Sequence, residues 1–124
     1  MSLLRSIHSR VRSITKRLSG SPIVYSRGET PYEIDLATPG KSKWETKDNR
    51  NQVAVIFSHD WLIDAADLEV TPERDDKITV DENGLTSVYQ VLPFGTEGRC
   101  WRWSDHPGGI RRIYTKLVSQ EPIT

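Results

Sequence analysis

The sequence predicts a mainly β fold, a small antiparallel β-barrel or sandwich of six to seven strands preceded by an N-terminal amphipathic α-helix. Three observations support this prediction. After Pro22, short runs of apolar residues alternate with polar ones, which is the period of a half-buried strand. Turn-forming residues separate these runs at intervals of roughly ten residues, as is typical of sandwiches and barrels. Before Gly20, apolar residues recur at helical spacing.

The chain has 124 residues, which suits one compact domain. No apolar run approaches the roughly 18 residues of a membrane-spanning helix, so a transmembrane protein is excluded and no membrane partner is expected. The single cysteine, Cys100, cannot form an internal disulfide, and no Cys/His set has zinc-finger spacing. The sequence therefore excludes a disulfide scaffold and a zinc module.

Residues 1–20 are predicted to form a basic amphipathic helix, which we call the docking helix. Its apolar stripe consists of Leu4, Ile7, Val11, Ile14 and Leu18. Gly20, followed by Pro22, ends it. Three interpretations stay open: the helix packs on its own domain, docks on a neighbouring subunit, or is a targeting peptide. The β-barrel domain is expected to span residues 21–124.

Strands are predicted at 23–26, 32–37, 53–57, 77–80, 85–92, 100–104 and 110–118. Residues 53–57 form a continuous apolar run, which indicates a strand buried on both faces. Residues 61–68 fit either an extension of that strand or a short helical turn. Thr38, Pro39 and Gly40 are expected to end the second strand, and a long polar loop or hairpin tip is predicted near 38–52.

The net charge of zero conceals an uneven distribution. Residues 1–28 carry +6 and the rest of the chain carries −6. Residues 60–82 hold nine acidic and two basic side chains, whereas residues 99–116 hold five basic side chains and one acidic one. Blocks of opposite sign suit a protein whose faces meet different neighbours, and they equally suit an ordinary solvated surface.

No catalytic constellation is visible in the sequence. His59 and His106 each adjoin an Asp, but neighbours in a strand point to opposite faces, so neither pair forms a dyad. Cys100 fits either a thiol with a lowered pKa or, as we favour, a small core residue. Phosphate-binding glycine loops and a calcium-binding loop are missing. We therefore expect no enzyme activity, no metal and no cofactor.

An alternative function is a small β-barrel that binds single-stranded nucleic acid. Trp101 and Trp103 are interleaved with basic residues on two strands that we expect to pair as a hairpin, and small barrels bind single strands with such surfaces. Strand alternation places both tryptophans on one face and Arg102 on the other. We therefore favour core packing of the tryptophans over base stacking.

The chain also contains an ordered series of short motifs. These are S-H-D-W-L-I-D-A-A-D-L at 58–68, P-E-R-D-D-K-I at 72–78, V-Y-Q-V-L-P at 88–93, W-R-W-S-D at 101–105 and R-R-I-Y-T at 111–115. The series, within residues 34–118, resembles small phage and prophage neck proteins of the head-closure or head-tail connector group. In that group D-(F/W)-L-I-D-A-A-D-L, P-x-x-G-D-x-I, V-Y-E-V and W-R-W-S-D-P segments recur in the same order. Asp75 departs from this pattern, because the family usually has Gly there, and residues 106–109 replace a more usual proline-and-arginine turn.

The resemblance implies a structural virion protein without catalytic residues. Such a protein is a β-barrel subunit of a homo-oligomeric ring in the neck of a tailed phage, assembled in the bacterial host cytoplasm. Its partners would be a portal or adaptor protein on one side and a tail protein on the other. Genomic DNA would pass through the ring without sequence-specific contact. Within the neck, an adaptor ring and a tail-terminator ring are the alternatives to a head-closure ring.

On this interpretation, the acidic and basic blocks would pair head to tail between subunits. The candidate interface residues are Asp64, Asp67, Asp75, Asp76, Arg99, Arg102, Arg111 and Arg112. The polar loop would face the channel or a neighbouring ring with Lys41, Lys43, Trp44, Lys47 and Arg50. The docking helix would bind the layer above or below. We expect neutralisation of Arg111 and Arg112 to weaken assembly more than folding.

Overall fold

The computed structural model describes residues 20–95, 98–105 and 108–123. Within this part of the chain there are seven strands and one 3₁₀ turn, Ala65–Asp67. The strands are β1 (Ser21–Arg27), β2 (Thr30–Lys47), β3 (Val53–Asp64), β4 (Lys77–Glu82), β5 (Leu85–Val91), β6 (Trp101–Trp103) and β7 (Ile110–Pro122). The mainly β prediction is confirmed, and each predicted strand overlaps an observed one. The predicted docking helix lies outside the described residues, apart from Gly20.

All seven strands belong to one antiparallel sheet with the order β3-β2-β1-β4-β5-β7-β6. β3 also pairs with β7, from His59↔Thr115 to Asp64↔Ile110. Six strands are therefore linked in a closed circuit of hydrogen-bonded neighbours, β1-β2-β3-β7-β5-β4. β6 pairs with β7 and lies outside this circuit.

The core is built from alternate residues of the circuit strands. β1 contributes Ile23 and Tyr25, and β4 contributes Ile78 and Val80. Trp61 of β3 is the largest fully buried side chain. Deleting a buried aromatic of this size costs about 3–5 kcal/mol. Because one face of each such strand is buried, the period-two pattern of the sequence predicts these strands correctly.

Positive backbone φ angles occur at two turns that the sequence marks. Asn83 and Gly84, between β4 and β5, have φ of 51° and 78°, which is the type I′ geometry that matches the twist of a hairpin. Asp75 has φ of 73°, in the left-handed region where glycine is the least strained residue. This is the position at which the resembled family usually has Gly.

The predicted loop near 38–52 is wrong over most of its length. β2 continues through Pro39 to Lys47 and pairs with β3 residue by residue, so only residues 48–52 form the connection. Pro39 is tolerated because β1 pairs with β2 only as far as Ala37, which leaves one edge of β2 without a ladder. The polar composition was misleading because neither face of this part of β2 is buried, so its sequence lacks the apolar alternation of a half-buried strand.

The prediction that residues 53–57 are buried on both faces is also wrong. Phe57 is 55 % exposed and Val53 is 51 % exposed, and the other residues of the run are exposed as well. A continuous apolar run indicates burial only when other elements cover it. No other element of the described chain covers this part of β3. We call residues 42–58, which protrude as a two-stranded ribbon, the hairpin arm.

Residues 61–68 first extend β3 and then form a short helical turn, so each of the two predicted structures is present in part of the segment. Trp61 to Asp64 extend β3, and Ala65–Asp67 form the 3₁₀ turn. The change of structure occurs at Asp64, whose Oδ1 accepts a hydrogen bond from the backbone N–H of Ala66 at 2.9 Å. An Asp in this position satisfies a backbone donor that would otherwise lack a partner.

Candidate functional site

The root of the hairpin arm holds a buried ion pair. Asp60, on β3, is fully buried, and Arg112, on β7, donates from Nη1 to its Oδ2 at 2.8 Å. Ser42 donates to the same oxygen at 2.5 Å, and Ser58 donates to Oδ1. Ser42 and Ser58 are cross-strand partners, so both residues of the first pair in the arm are hydrogen-bonded to this carboxylate. One buried charge therefore joins β2, β3 and β7 where the arm leaves the core.

The hairpin arm carries an exposed apolar stripe. Strand alternation places Val53, Val55 and Phe57 on one face. Their cross-strand partners are all charged, namely Lys47, Glu45 and Lys43. Lys43 and Glu45 form a surface ion pair at 3.0 Å. Apolar surface with a charged border is typical of sites that bind another macromolecule.

The opposite face of the arm closes one side of a groove of about 310 Å³. The groove runs between the arm and β6, and its lining includes Lys43, Trp44, Phe94, Arg99, Trp101 and Arg102. Trp44 packs edge-on against Phe94, with ring centroids 6.3 Å apart. The groove thus combines aromatic walls with the basic side chains of Arg99 and Arg102, while the Lys43 side chain lies on the stripe face.

The β6–β7 hairpin is observed as predicted, but its two tryptophans differ in burial. Trp101 packs partly buried against the core, as we expected, whereas Trp103 is 43 % exposed. Their rings are perpendicular at 5.0 Å, and the guanidinium of Arg111 lies 4.8 Å from the centroid of Trp101. Gly108 approaches the ring of Trp103 closely, since a Cβ there would lie 3.2 Å from it. Neighbouring groups therefore occupy surface of both rings that base stacking would need.

A second buried carboxylate is that of Asp76. The Tyr25 hydroxyl donates a hydrogen bond to Asp76. Arg27 donates two more to the same carboxylate, from Nε to Oδ1 at 3.1 Å and from Nη2 to Oδ2 at 2.9 Å. Burial alone would raise the pKa of Asp76, but the hydrogen bonds from Arg27 and Tyr25 hold the pKa below its ordinary value. Burial and the adjacent carboxylate raise the pKa of Tyr25. Asp76 thus fastens β1 to the loop before β4.

The structure divides the eight candidate interface residues into two groups. Three are buried or half-buried: Asp76, Arg111 and Arg112. Five are exposed: Asp64, Asp67, Asp75, Arg99 and Arg102. Arg99 and Arg102 line the same groove, and Asp64 and Asp67 together line a different one of about 280 Å³. Asp64 and Asp67 therefore lie apart from Arg99 and Arg102, whereas Asp75 lies near Cys100, the neighbour of Arg99.

Four of the five candidate channel residues lie on strand β2, and only Arg50 lies in the connecting loop. Lys43 and Lys47 lie on the face of the apolar stripe, and Trp44 lies on the groove face. Arg50 is at the tip, and Lys41, at the root, holds its ammonium 4.8 Å from the centroid of Phe57. The five apolar residues of the docking helix lie outside the described residues.

His59 and Cys100, the titratable groups singled out by sequence, both pack against aromatic or apolar neighbours. The His59 ring stacks on Tyr89 at 4.4 Å, and burial lowers its pKa. Burial raises the pKa of the Cys100 thiol, so the alternative of a lowered pKa is wrong. Among residues 20–95, 98–105 and 108–123, no three His, Cys, Asp or Glu side chains are grouped to hold a metal ion.

Sequence reasoning missed the apolar stripe and the buried pair at the arm root. It assigned 53–57 to the core, because a single sequence does not show whether another element covers a strand. One available signal was that the partner stretch, 41–47, is almost entirely polar. Asp60 and Arg112 are 52 positions apart, and nothing local in the sequence joins them.

Comparison with known proteins identifies the class of this chain. A family model described as phage head-tail joining protein matches residues 1–122, nearly the whole chain. A search of curated proteins finds no match. In the described part of the chain, no helix has the length and apolarity needed to cross a membrane. The match confirms the resemblance to phage connector proteins and extends it beyond residues 34–118. The chain therefore belongs to the phage head-tail joining protein family, a family of structural proteins at the head-tail junction of the virion.

Proposed function

We propose that the chain is a ring-forming head-closure subunit that joins a portal or adaptor protein to a tail protein around the DNA channel. The observation that carries this proposal is the hairpin arm, which presents an apolar stripe bordered by charges. An exposed apolar ribbon needs a partner in the finished particle, because it otherwise associates unspecifically. Adaptor and tail-terminator rings are the alternatives within the neck.

We infer further that the closed circuit of six strands is a small β-barrel with the arm protruding from its wall. The cycle of strand pairings supports this inference, since closing a sheet into a barrel removes its free edges. A barrel is a suitable ring subunit because it holds its contact surfaces at fixed angles. Every copy then meets the next with the same rotation, as a closed ring requires.

Contacts between copies are proposed to be heterologous, so that one face of a subunit meets a different face of the next. The exposed acidic residues Asp64 and Asp67 would contribute to one face. Arg99 and Arg102 would contribute to the other. Exposed charges of this kind set register and partner choice more than affinity. Asp76, Arg111 and Arg112 are no longer part of the proposed interface, because they are buried or half-buried.

The cations of the arm are proposed to face the DNA channel or a neighbouring ring. Lys43, Lys47 and Arg50 are exposed along the ribbon and at its tip. They would hold passing DNA through its phosphates, without reading sequence. The docking helix is proposed to bind the portal, adaptor or tail layer, and this rests on its sequence pattern alone. Assembly would take place in the bacterial host cytoplasm.

The test compares phage stocks in which the gene of this chain is intact or carries an early stop codon. With the intact gene, a reconstruction of the neck should show several copies of this fold around the channel axis, between portal and tail. With the stop codon, that density should be lost and heads should be found separate from tails. Joined particles in the stop-codon stock would contradict the proposal.

A second candidate function, binding of single-stranded nucleic acid, is favoured by the groove that brings Arg99 and Arg102 beside Trp44 and Trp101. It predicts salt-sensitive binding of labelled oligonucleotides by the isolated chain. Binding should be lost in Arg102→Glu, at an exposed position of the groove, while the circular dichroism spectrum is unchanged. If the oligonucleotides do not bind at low salt, this candidate fails.

A further inference from the structure

β3 and β7 pair over only part of their length, and beyond the paired part each strand has an open edge. β3 pairs with β7 from Asp64 back to His59, opposite Thr115, and the pairing stops there. Beyond that point β3 continues into the arm as residues 53–58, and β7 continues as residues 116–122. In the part of the chain that the structure describes, neither continuation has a strand on the edge that formed the β3–β7 ladder.

The separation has an identifiable cause. β7 leaves β3 and follows β5, where Leu117 pairs with Tyr89 and Ser119 pairs with Val88. Val118 is thus the extra residue of a β-bulge, and a bulge bends its strand and increases the local twist. β3 meanwhile stays bound to β2 along the arm, from Leu62 to Val53. Each strand is held by another neighbour, so the gap between them is built into the sheet.

Both open edges are exposed, and the edge on the arm is also apolar. Residues 53–58 read V-A-V-I-F-S, with no charge and no proline. Natural sheets usually protect an exposed edge with charged residues, proline or a cover, and a six-residue segment without any of these associates readily with another strand. The β7 edge is mixed: Leu117 is 44 % exposed and Val118 is 41 % exposed, but Lys116, Glu121 and Pro122 flank them.

We propose that the open edge of residues 53–58 in one copy pairs with the open edge of residues 116–122 in a second copy. Main-chain hydrogen bonds would then continue the sheet from one subunit to the next, as in other cases of strand addition. The two segments are similar in length, six and seven residues, and Leu117 and Val118 give the β7 segment an exposed apolar centre for the apolar arm edge. The inference rests on the proposed ring and specifies the surfaces that form it.

The contact joins two different edges, and this determines the kind of assembly. Each subunit offers an arm edge to one neighbour and a β7 edge to the other, so the contact can be repeated around a closed ring. An arm that paired with another arm would instead produce a closed dimer. The two arrangements are distinguished by which pairs of positions can be cross-linked.

The experiment uses single-cysteine variants of the full chain in which Cys100→Ser removes the native thiol. One variant carries Val55→Cys, and a second carries Val118→Cys or Ser119→Cys. The variants are produced together in infected cells so that both enter the same particles, and the isolated particles are mildly oxidised. Because each cysteine lies on a different chain, a cross-linked dimer on a non-reducing gel reports contact between copies.

A dimer band should form in particles with both variants and be absent from particles with either variant alone. Lys77→Cys, an exposed position on β4, replaces the β7 cysteine as the control and should give no band with Val55→Cys. A band from Val55→Cys alone would show arm-to-arm contact and overturn the inference. Incorporation of both variants without a band would also overturn it, while the proposed function would stand. If the chain is absent from the necks, the proposed function itself fails.

Discussion

Gly40 leaves the space through which Arg112 reaches Asp60. A Cβ atom on Gly40 would lie 3.1 Å from Nη1 of Arg112 and 2.9 Å from Cδ1 of Leu62. Both distances are shorter than an ordinary van der Waals contact. The glycine on β2 is therefore part of the arm root, although its own backbone φ is ordinary.

We expect Gly40→Ala to lower the free energy of unfolding by about 1–2 kcal/mol, because the added methyl group displaces Arg112 or Leu62. Urea denaturation measures this loss. Gly109→Ala is the matched control, since a Cβ there meets nothing closer than 3.4 Å. Equal stability of the two variants would show that the Arg112 side chain has room to shift.

Asp60→Asn should lower the free energy of unfolding by about 3 kcal/mol, since it leaves the Arg112 charge buried without its counter-charge. Asp60→Asn combined with Arg112→Met should recover part of this loss, and a double-mutant cycle measures the coupling. We therefore revise the expectation that neutralising Arg112 acts mainly on assembly. If the Arg112→Met domain melted at the wild-type temperature, the pair would have no role in the fold.

The stability of the domain should fall as the pH drops below about 6.5, the ordinary pKa of histidine. Burial lowers the pKa of His59, outweighing the raising effects of Glu82 and Asp60. The unfolded chain therefore binds the proton more readily than the folded one, and acid favours unfolding. His59→Phe should remove this dependence between about pH 7 and pH 5 while keeping the stacking on Tyr89. An unchanged slope in the variant would assign the effect to another group.

A separate loss of stability should begin below the ordinary pKa of aspartate, 3.8. The folded state lowers the pKa of Asp76, so its stabilising contribution is present at neutral pH and disappears as the carboxylate is protonated. Asp76→Asn should lower stability at pH 7 and show a weaker decline between pH 4 and pH 2 than the wild type. Parallel pH profiles for the two proteins would contradict this assignment.

Asp75→Gly should raise the free energy of unfolding by about 0.5–1 kcal/mol, since glycine adopts a φ of 73° without strain. The change also removes the hydrogen bond from Gln90 Nε2 to Asp75 at 2.7 Å, which is exposed and contributes little. Asp75→Ala removes the same bond and keeps the strain, so it should be less stable than the wild type. Thermal melts of the three proteins in one buffer give the order of their stabilities.

Val55→Lys should prevent incorporation into particles without changing the melting temperature of the isolated domain. Val55 is exposed, so the fold loses little, but a charge on the apolar stripe would have to be buried in the proposed contact. Thr46→Lys, exposed on the other strand and face of the arm, is the control and should be incorporated normally. Equal incorporation of both variants, measured by blotting purified particles, would exclude the stripe from the contact.

The parts of the fold that the sequence predicts well are those in which one face of a strand is buried. β4 and β5 alternate between core and surface, and the Asn83-Gly84 pair marks the turn that joins them. The arm does not follow this rule, because neither of its faces is covered. Its polar strand was therefore predicted as a loop, and its apolar strand as core.

The candidate site could be predicted only in part, because its main contacts join distant segments. Asp60 belonged to the acidic block and Arg112 to the basic block, and charge alone assigned such residues to contacts between subunits. The fold instead brings these two together inside one subunit. The resemblance to connector proteins did mark Asp75 as unusual, and its backbone conformation explains why glycine is common there.

The tip and the root of the arm are both fixed by carboxylates, which gives the arm mechanical properties. At the tip, Asp48 accepts hydrogen bonds from the backbone N–H groups of Arg50 and Gln52, at 2.8 and 2.9 Å. At the root, Asp60 binds both strands and β7. With its turn closed and its base anchored, the ribbon resists sliding of one strand past the other. We therefore expect a force on the tip of the arm to be transmitted to the Asp60–Arg112 pair, and through this pair to β7.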